Sequence, residues 1–294
     1  MNDINIPIER VRELAKQGDA KMQCHLGDCY ESGEKVKQNY KEAVKWYRKA
    51  AEQGYAEAQN NLGFCYGNGN GVEKNYEEAT KWWHKAAEQN HSSAQYNLAV
   101  IYINGDGVKK DDKEGMKWLL KAAEQDHTQA QYETGTNYYY GRNTQQNQAE
   151  GLKWWRKAAE NGHAKAQYCM GVHYITGEGA EKDYKEAAKW WKRAAAQNHT
   201  ESQYYIGRCY YFGQGVEQNY SSAAQWFLFA AENGHAEAQF FLGYCYYNSL
   251  GVARDYEEAA KWWSKGAEQG ESHCITALTI LIKKGLIKNP FRKD

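Results

Sequence analysis

One period governs this chain. Gly18, Gly54, Asn90, Asp126, Gly162, Asn198, Gly234 and Gly270 stand 36 residues apart, with no insertion between any two of them. A fixed period of this length means one supersecondary unit stacked on itself, because each unit has an apolar face that only its neighbours can cover. With each anchor taken as position 1, a unit reads as in "GYAEAQNNLGFCYGNGNGVEKNYEEATKWWHKAAEQ". Apolar residues at positions 5, 9, 12 and 13, for example Ala58, Leu62, Cys65 and Tyr66, share one helical face. That spacing predicts a helix A over positions 3–15. A glycine at position 16 (Gly33, Gly69, Gly105, Gly141, Gly177, Gly213) suits a left-handed cap after it. Helix B begins after Asn or Asp at position 22, with Glu at position 25 in most units. Asn39/Glu42, Asn75/Glu78 and Asp183/Glu186 have the spacing of a capping box. Its expected buried stripe is positions 26, 29, 30, 33 and 34. The two prolines, Pro7 and Pro290, lie near the ends, so no proline interrupts the helices between them.

The expected fold is therefore all-α: a right-handed α-α superhelical solenoid of seven full helix-pair repeats over residues 18–269. A half-repeat over 7–17 precedes them, and a half-repeat with a tail over 270–294 follows. The whole chain reads as one elongated domain.

The string AQ-x-x-LG-x-x-Y-x-x-G-x-GV-x-x-(D/N)Y-x-x-A-x-x-W recurs in phase through the chain. It resembles the Sel-like repeat family, relatives of the tetratricopeptide repeats. The resemblance implies adaptor or scaffold roles, mostly in bacterial signalling, secretion and host interaction, and no common catalytic site. It also implies that cysteine-rich members pair one cysteine from each helix of a repeat. No helix B of this chain contains cysteine, so that pairing is not available here.

The charge balance is 37 basic against 37 acidic residues, so no basic field exists to draw a phosphate backbone, and nucleic acid is not an expected partner. No run approaches the ~18–20 apolar residues of a membrane span. The first residues lack the apolar segment of a secretory signal, and seven cysteines is an odd number. Both point to a reducing, cytoplasmic setting, with secretion as an effector the other reading.

Residues that could carry chemistry mostly fall into columns. All eleven tryptophans stand at position 29 or 30 (Trp82 and Trp83 in repeat two), which reads as core rather than a stacking platform. Five of the nine histidines stand at position 2, a helix-start preference rather than a metal cluster. His25 with Cys29, and Cys169 with His173, share one-turn spacing but do not make a four-ligand zinc pattern. The position-12 cysteines (Cys29, Cys65, Cys209, Cys245) lie one repeat or more apart. Equivalent helices are spaced about 8–10 Å, beyond the ~7 Å a disulfide tolerates, so free thiols are expected. The one Ser-x-x-Lys match, Ser32 to Lys35, lacks the companion Ser-Asp-Asn and Lys-Thr-Gly elements of a penicillin-recognising hydrolase. No catalytic residue, metal or cofactor is assigned.

Binding residues are sought where a surface column is oddly apolar. Positions 7, 11 and 14 of helix A face away from its core stripe and, by analogy with tetratricopeptide repeats, line a concave groove. They place there Tyr96, Tyr132, Tyr139, Tyr168, Tyr204, Arg208, Tyr211, Phe240, Tyr244 and Tyr247. Tyrosine gives large contact area at low entropic cost. The competing reading is that position-7 aromatics pack sideways on the next repeat. A second contact is read on the outer face of helix B in repeat six. There "NYSSAAQWFLFAAENGH" puts Gln225, Leu228 and Phe229 where neighbouring repeats carry charge. The competing reading is local packing of Phe229. The expected role is a protein or peptide adaptor without membrane insertion; a monomer is favoured, with self-association through the outer face of repeat six the other reading. The alternatives are a secreted or surface-exposed bacterial factor that binds a host protein, and, as the resemblance to cysteine-rich relatives implies, a hydrolase, for which Ser32 would be the residue to test.

Overall fold

The computed structural model describes residues 6–177 and 182–287, so the last residues of the expected C-terminal tail lie outside it. Among the described residues there are sixteen helices and no strand. The first is α1 (Ile8–Lys16), the truncated helix B. Seven helix pairs follow: α2 (Ala20–Ser32) with α3 (Tyr40–Glu52), α4 (Ala56–Asn68) with α5 (Tyr76–Glu88), α6 (Ser92–Asn104) with α7 (Asp112–Glu124), and α8 (Thr128–Tyr140) with α9 (Gln148–Glu160). The last three are α10 (Ala164–Thr176) with α11 (Tyr184–Ala195), α12 (Thr200–Phe212) with α13 (Tyr220–Glu232), and α14 (Ala236–Asn248) with α15 (Tyr256–Glu268). A lone helix A, α16 (Ser272–Lys283), closes the series. The predicted helices sit where the 36-residue register put them, and the fold is an all-α solenoid. The chain divides into two compact units, residues 1–154 and 155–294, and the division falls within α9, in the irregular repeat four.

The caps explain why the helices start and stop there. Asn39, Asn75, Asp111, Asn147, Asp183, Asn219 and Asp255 each accept the backbone N–H of position 25. The reciprocal arm of the expected capping box does not form. The position-22 N–H instead donates to the carbonyl of position 13, as Asn39 does to Tyr30 at 2.8 Å and Asp183 to Tyr174 at 2.9 Å. The freed glutamate pairs with the lysine at position 28, as in Glu78–Lys81 and Glu258–Lys261. Helix A ends on left-handed glycines at position 16, and in repeat seven Ser249 takes that conformation at φ 61°.

Core size is balanced across the pair. Position 30 on helix B carries Tyr47, Trp83, Trp155, Trp191, Phe227 or Trp263 in six repeats, and these buried rings lie against a glycine at position 10 of helix A wherever that contact is described. A Cβ added at Gly63 would fall 2.7 Å from the indole of Trp83. Repeat three has the smaller Leu119 at position 30, and there alone position 10 is an alanine, Ala99. Both are buried.

A buried glutamine at position 6 ties successive repeats together. Gln23, Gln59, Gln95, Gln131, Gln167, Gln203 and Gln239 each donate to the position-34 carbonyl of the preceding helix B. In six repeats the side-chain oxygen accepts from the Gln or Asn that ends the repeat's own helix B, as Gln53 gives to Gln23 at 2.7 Å. An apolar residue would leave two helix ends unsatisfied, which accounts for the invariance of this polar column in the core.

Candidate functional site

The position-2 histidines and the position-7 aromatics, read from the sequence as separate columns, are partners. Tyr96 stacks on His127 with centroids 4.9 Å apart and Tyr204 on His235 at 4.3 Å, while Tyr168 lies tilted on His199 at 5.1 Å. Each of these histidines also caps its helix A. Nδ1 of His127, His199 and His235 accepts the backbone N–H three residues on. A nitrogen that accepts must be unprotonated. Burial acts in the same direction and holds His127, His163, His199 and His235 below the ordinary histidine value. Position 7 therefore packs on the next repeat. Tyr204 is buried outright at 9% exposure, while Tyr96, Tyr132 and Tyr168 are half-buried.

Exposed aromatic surface lies one step along the helix, at positions 11 and 15. Phe64, Tyr140, Phe212 and Tyr244 are the large rings most open to solvent on helix A, at 38% exposure or more. Tyr244 belongs to the expected set. Phe64 stands in the same position-11 column, but Tyr140 and Phe212 stand at position 15, a column the helical-face argument passes over. Tyr139 and Tyr211 at position 14 are half-buried, with Tyr211 edge-on to Phe212 at 4.8 Å and to Tyr220 at 5.3 Å.

Three of the expected residues come together in the C-terminal unit. Phe240, Tyr244 and Tyr247 of α14, with Trp263 of α15, form one side of an open pocket of about 370 Å³. His273, Thr276, Ala277, Ile280 and Lys284 form the other. Lys284 Nζ donates to the Tyr247 hydroxyl at 2.9 Å. One turn of the layer away, the Arg208 guanidinium lies 5.7 Å from the Tyr204 ring and 5.8 Å from that of Phe212, and its Nε is buried without an acceptor.

The outer face of helix B has a different logic from the one the sequence suggested. In five repeats the cation at position 32 sits over the position-29 tryptophan: Lys49 on Trp46, Lys85 on Trp82, Lys121 on Trp118, Arg193 on Trp190 and Lys265 on Trp262, at 4.0–4.9 Å. In repeat six Phe229 takes that place, edge-on to Trp226 at 5.6 Å and 38% exposed. Leu228 does not point outward. Position 31 faces position 13 of the next repeat, where Arg48 bonds the Tyr66 hydroxyl and His84 that of Tyr102, and Leu228 packs against the core of the C-terminal unit. Gln225 stays exposed. Its change from lysine accompanies the change of the position-25 glutamate to Ser222, so one ion pair was lost as a unit.

All seven cysteines are unpaired, and burial pushes the thiols of Cys65, Cys209, Cys245 and Cys274 up to about 12, far from a reactive thiolate. Among the described residues no three His, Cys, Asp or Glu side chains converge as a metal site. Ser32 Oγ accepts the Glu34 N–H in the turn after α2. Among the described residues no helix is long and apolar enough to cross a membrane.

The Sel1 repeat family model matches residues 20–55, 56–91, 92–127, 128–163, 164–199, 200–235 and 236–271. The chain is similar to c5321, described as a protective antigen present in uropathogenic Escherichia coli strains and displaying an SLR fold. The two share 36% identity at a TM-score of 0.90, over 97% of this chain and 62% of that longer one. A Sel1 repeat protein from Oxalobacter formigenes is 34% identical at a TM-score of 0.71, over 93% of this chain and 79% of that one. No curated protein sequence matches the chain.

Proposed function

The chain belongs to the Sel1 repeat family, whose members generally serve as protein-interaction scaffolds, and on that premise we propose that it is a non-catalytic adaptor holding a protein or peptide on the exposed aromatic face of its helix A layer. The observation that carries this reading is the split between the aromatic columns. Position 7 is taken up by packing on histidines, whereas Phe212 and Tyr244 stay open and Tyr244 lines a pocket. Exposed aromatics gathered around a concavity are a common mark of a contact surface. The test is affinity capture by the full chain with mass spectrometry, run in parallel for Phe212→Ser/Tyr244→Ser. A partner lost by the variant at unchanged helicity and melting temperature supports the face. A partner held equally well by both moves the site off it. Tyr204 is unsuitable for such a test, because its truncation would open the core.

A second reading, placement on or outside a bacterial cell, draws on the likeness to the protective antigen. Fractionation of the producing cells and protease treatment of intact ones test it. Protein found only inside the cell would refute it.

A further inference from the structure

We propose that the pocket between α14, α15 and α16 takes a large apolar side chain of an extended acidic peptide, whose carboxylates are met by Lys284 and Arg208. This rests on the helix A face being a binding face and specifies the chemistry of its occupant.

The pocket is apolar inside and cationic at its edge. Phe240, Tyr247, Trp263 and Ile280 make its walls, and about 370 Å³ suits one aromatic or branched side chain with some of its backbone. Ile280 is 44% and Tyr244 38% exposed, so a guest would bury surface that water now wets. Neither Lys284 nor Arg208 makes an ion pair with any described residue. Glu271, which contacts the pocket residue His273, is already engaged: it accepts from the Cys274 N–H at 2.7 Å as the cap of α16 and lies 2.7 Å from His273. In six repeats the position-28 lysine is partnered by Glu at position 25, and in five repeats the position-32 cation lies over a tryptophan; neither kind of neighbour is found at Lys284. A cation without an ion pair at the edge of an apolar pocket, with a second on α12, complements a ligand that brings both carboxylate and hydrophobe.

Spacing sets the ligand's form. Arg208 stands on α12 and Lys284 at the end of α16, two repeats on. At about 8–10 Å per repeat the cations are about 16–20 Å apart. An extended strand rises about 3.3 Å per residue, so two acids some five to six residues apart reach both. A single terminal carboxylate reaches only one, which favours acids within the peptide.

Selection from a random 12-residue phage-displayed library on the immobilised full chain tests this, followed by fluorescence anisotropy with the enriched peptides made amidated. Enriched sequences should carry an aromatic or large aliphatic residue and acids at that spacing. Affinity should fall tenfold or more in Lys284→Glu and in Tyr244→Ala/Ile280→Ser, each with an unchanged melting curve. Selection on Arg208→Glu/Lys284→Glu should turn the preference to Lys and Arg. Peptides that lose binding on amidation would overturn the internal-acid assignment. Enrichment without acidic bias, or binding indifferent to Lys284→Glu, would overturn the pocket assignment. In that case binding lost in Phe212→Ser would leave the proposed function standing. No enrichment at all would overturn the pocket assignment, with the capture experiment above deciding the broader reading.

Discussion

Gly171→Ala should change sign with the residue it faces. A Cβ at Gly171 would lie 2.6 Å from Cδ1 and 2.7 Å from Cε2 of Trp191, and nearer still to Nε1. Trp191 is 2% exposed and stacks on Tyr205 at 4.7 Å, so the ring has little room to yield. Forcing an extra carbon into such a contact costs about 1–3 kcal/mol. Alanine in mid-helix gains about 1 kcal/mol over glycine. The net effect with Trp191 in place is a destabilisation of up to about 2 kcal/mol. Trp191→Leu alone should cost about 2–3 kcal/mol for the lost ring volume. In that background, however, the collision is gone and only the helix gain remains, so Gly171→Ala should now stabilise by about 1 kcal/mol. The double variant copies the pair that repeat three carries naturally, Ala99 with Leu119. Urea unfolding followed by circular dichroism gives the four stabilities of the cycle, and a coupling of about 1–3 kcal/mol is expected. Effects of Gly171→Ala that agree within about 0.5 kcal/mol in both backgrounds would refute the size-matching account.

Stability should also fall with acid. His127, His163, His199 and His235 have folded pKa values below the ordinary 6.5, so as pH drops past that value the unfolded chain takes up protons first and the folded state loses ground until the folded values are passed. Urea midpoints at pH 7.5, 6 and 5 should decline, and the decline should shrink when the four are replaced by Asn, which caps without titrating; a flat wild-type profile would contradict the neutral-cap assignment. On the outer face, Phe229→Lys should be nearly neutral because it restores a cation over Trp226, while Leu228→Lys should cost about 1–2 kcal/mol by pulling an apolar side chain from the C-terminal core. Light scattering that shows a wild-type oligomer dispersed by Phe229→Lys would instead make that face a self-association surface.

Periodicity made the fold legible, because a 36-residue repeat fixes helix starts and ends many times over and drift in one copy is outvoted by the rest. Column-by-column reading was weaker at the site. It saw Tyr204 and His235 each on its own helix, and their stacking joins residues 31 apart in sequence, which no single-helix periodicity reports. It treated Leu228 as outward from helical angle alone, although the seam between repeats reaches position 31. The same cause hid the glutamine column, since a polar residue in a core stripe explains itself only when the two helix ends it joins are in view. The signal for the cation-on-tryptophan contact was present, as Trp at position 29 and Lys or Arg at 32 are one turn apart, and Phe229 keeps that contact by other means.

The glutamine relay bears on how such a chain can gain or lose length. Each buried glutamine finds its acceptor in the element before its repeat, and in six repeats its donor lies within its own repeat. Excising or duplicating a block of 36 residues therefore returns every glutamine to an equivalent pair, whatever the block's starting point. A cut of any other size strands a carbonyl and an amide in the interior at about 1–3 kcal/mol each. Length in this architecture is quantised, and genetic change by whole modules is the only cheap route along it.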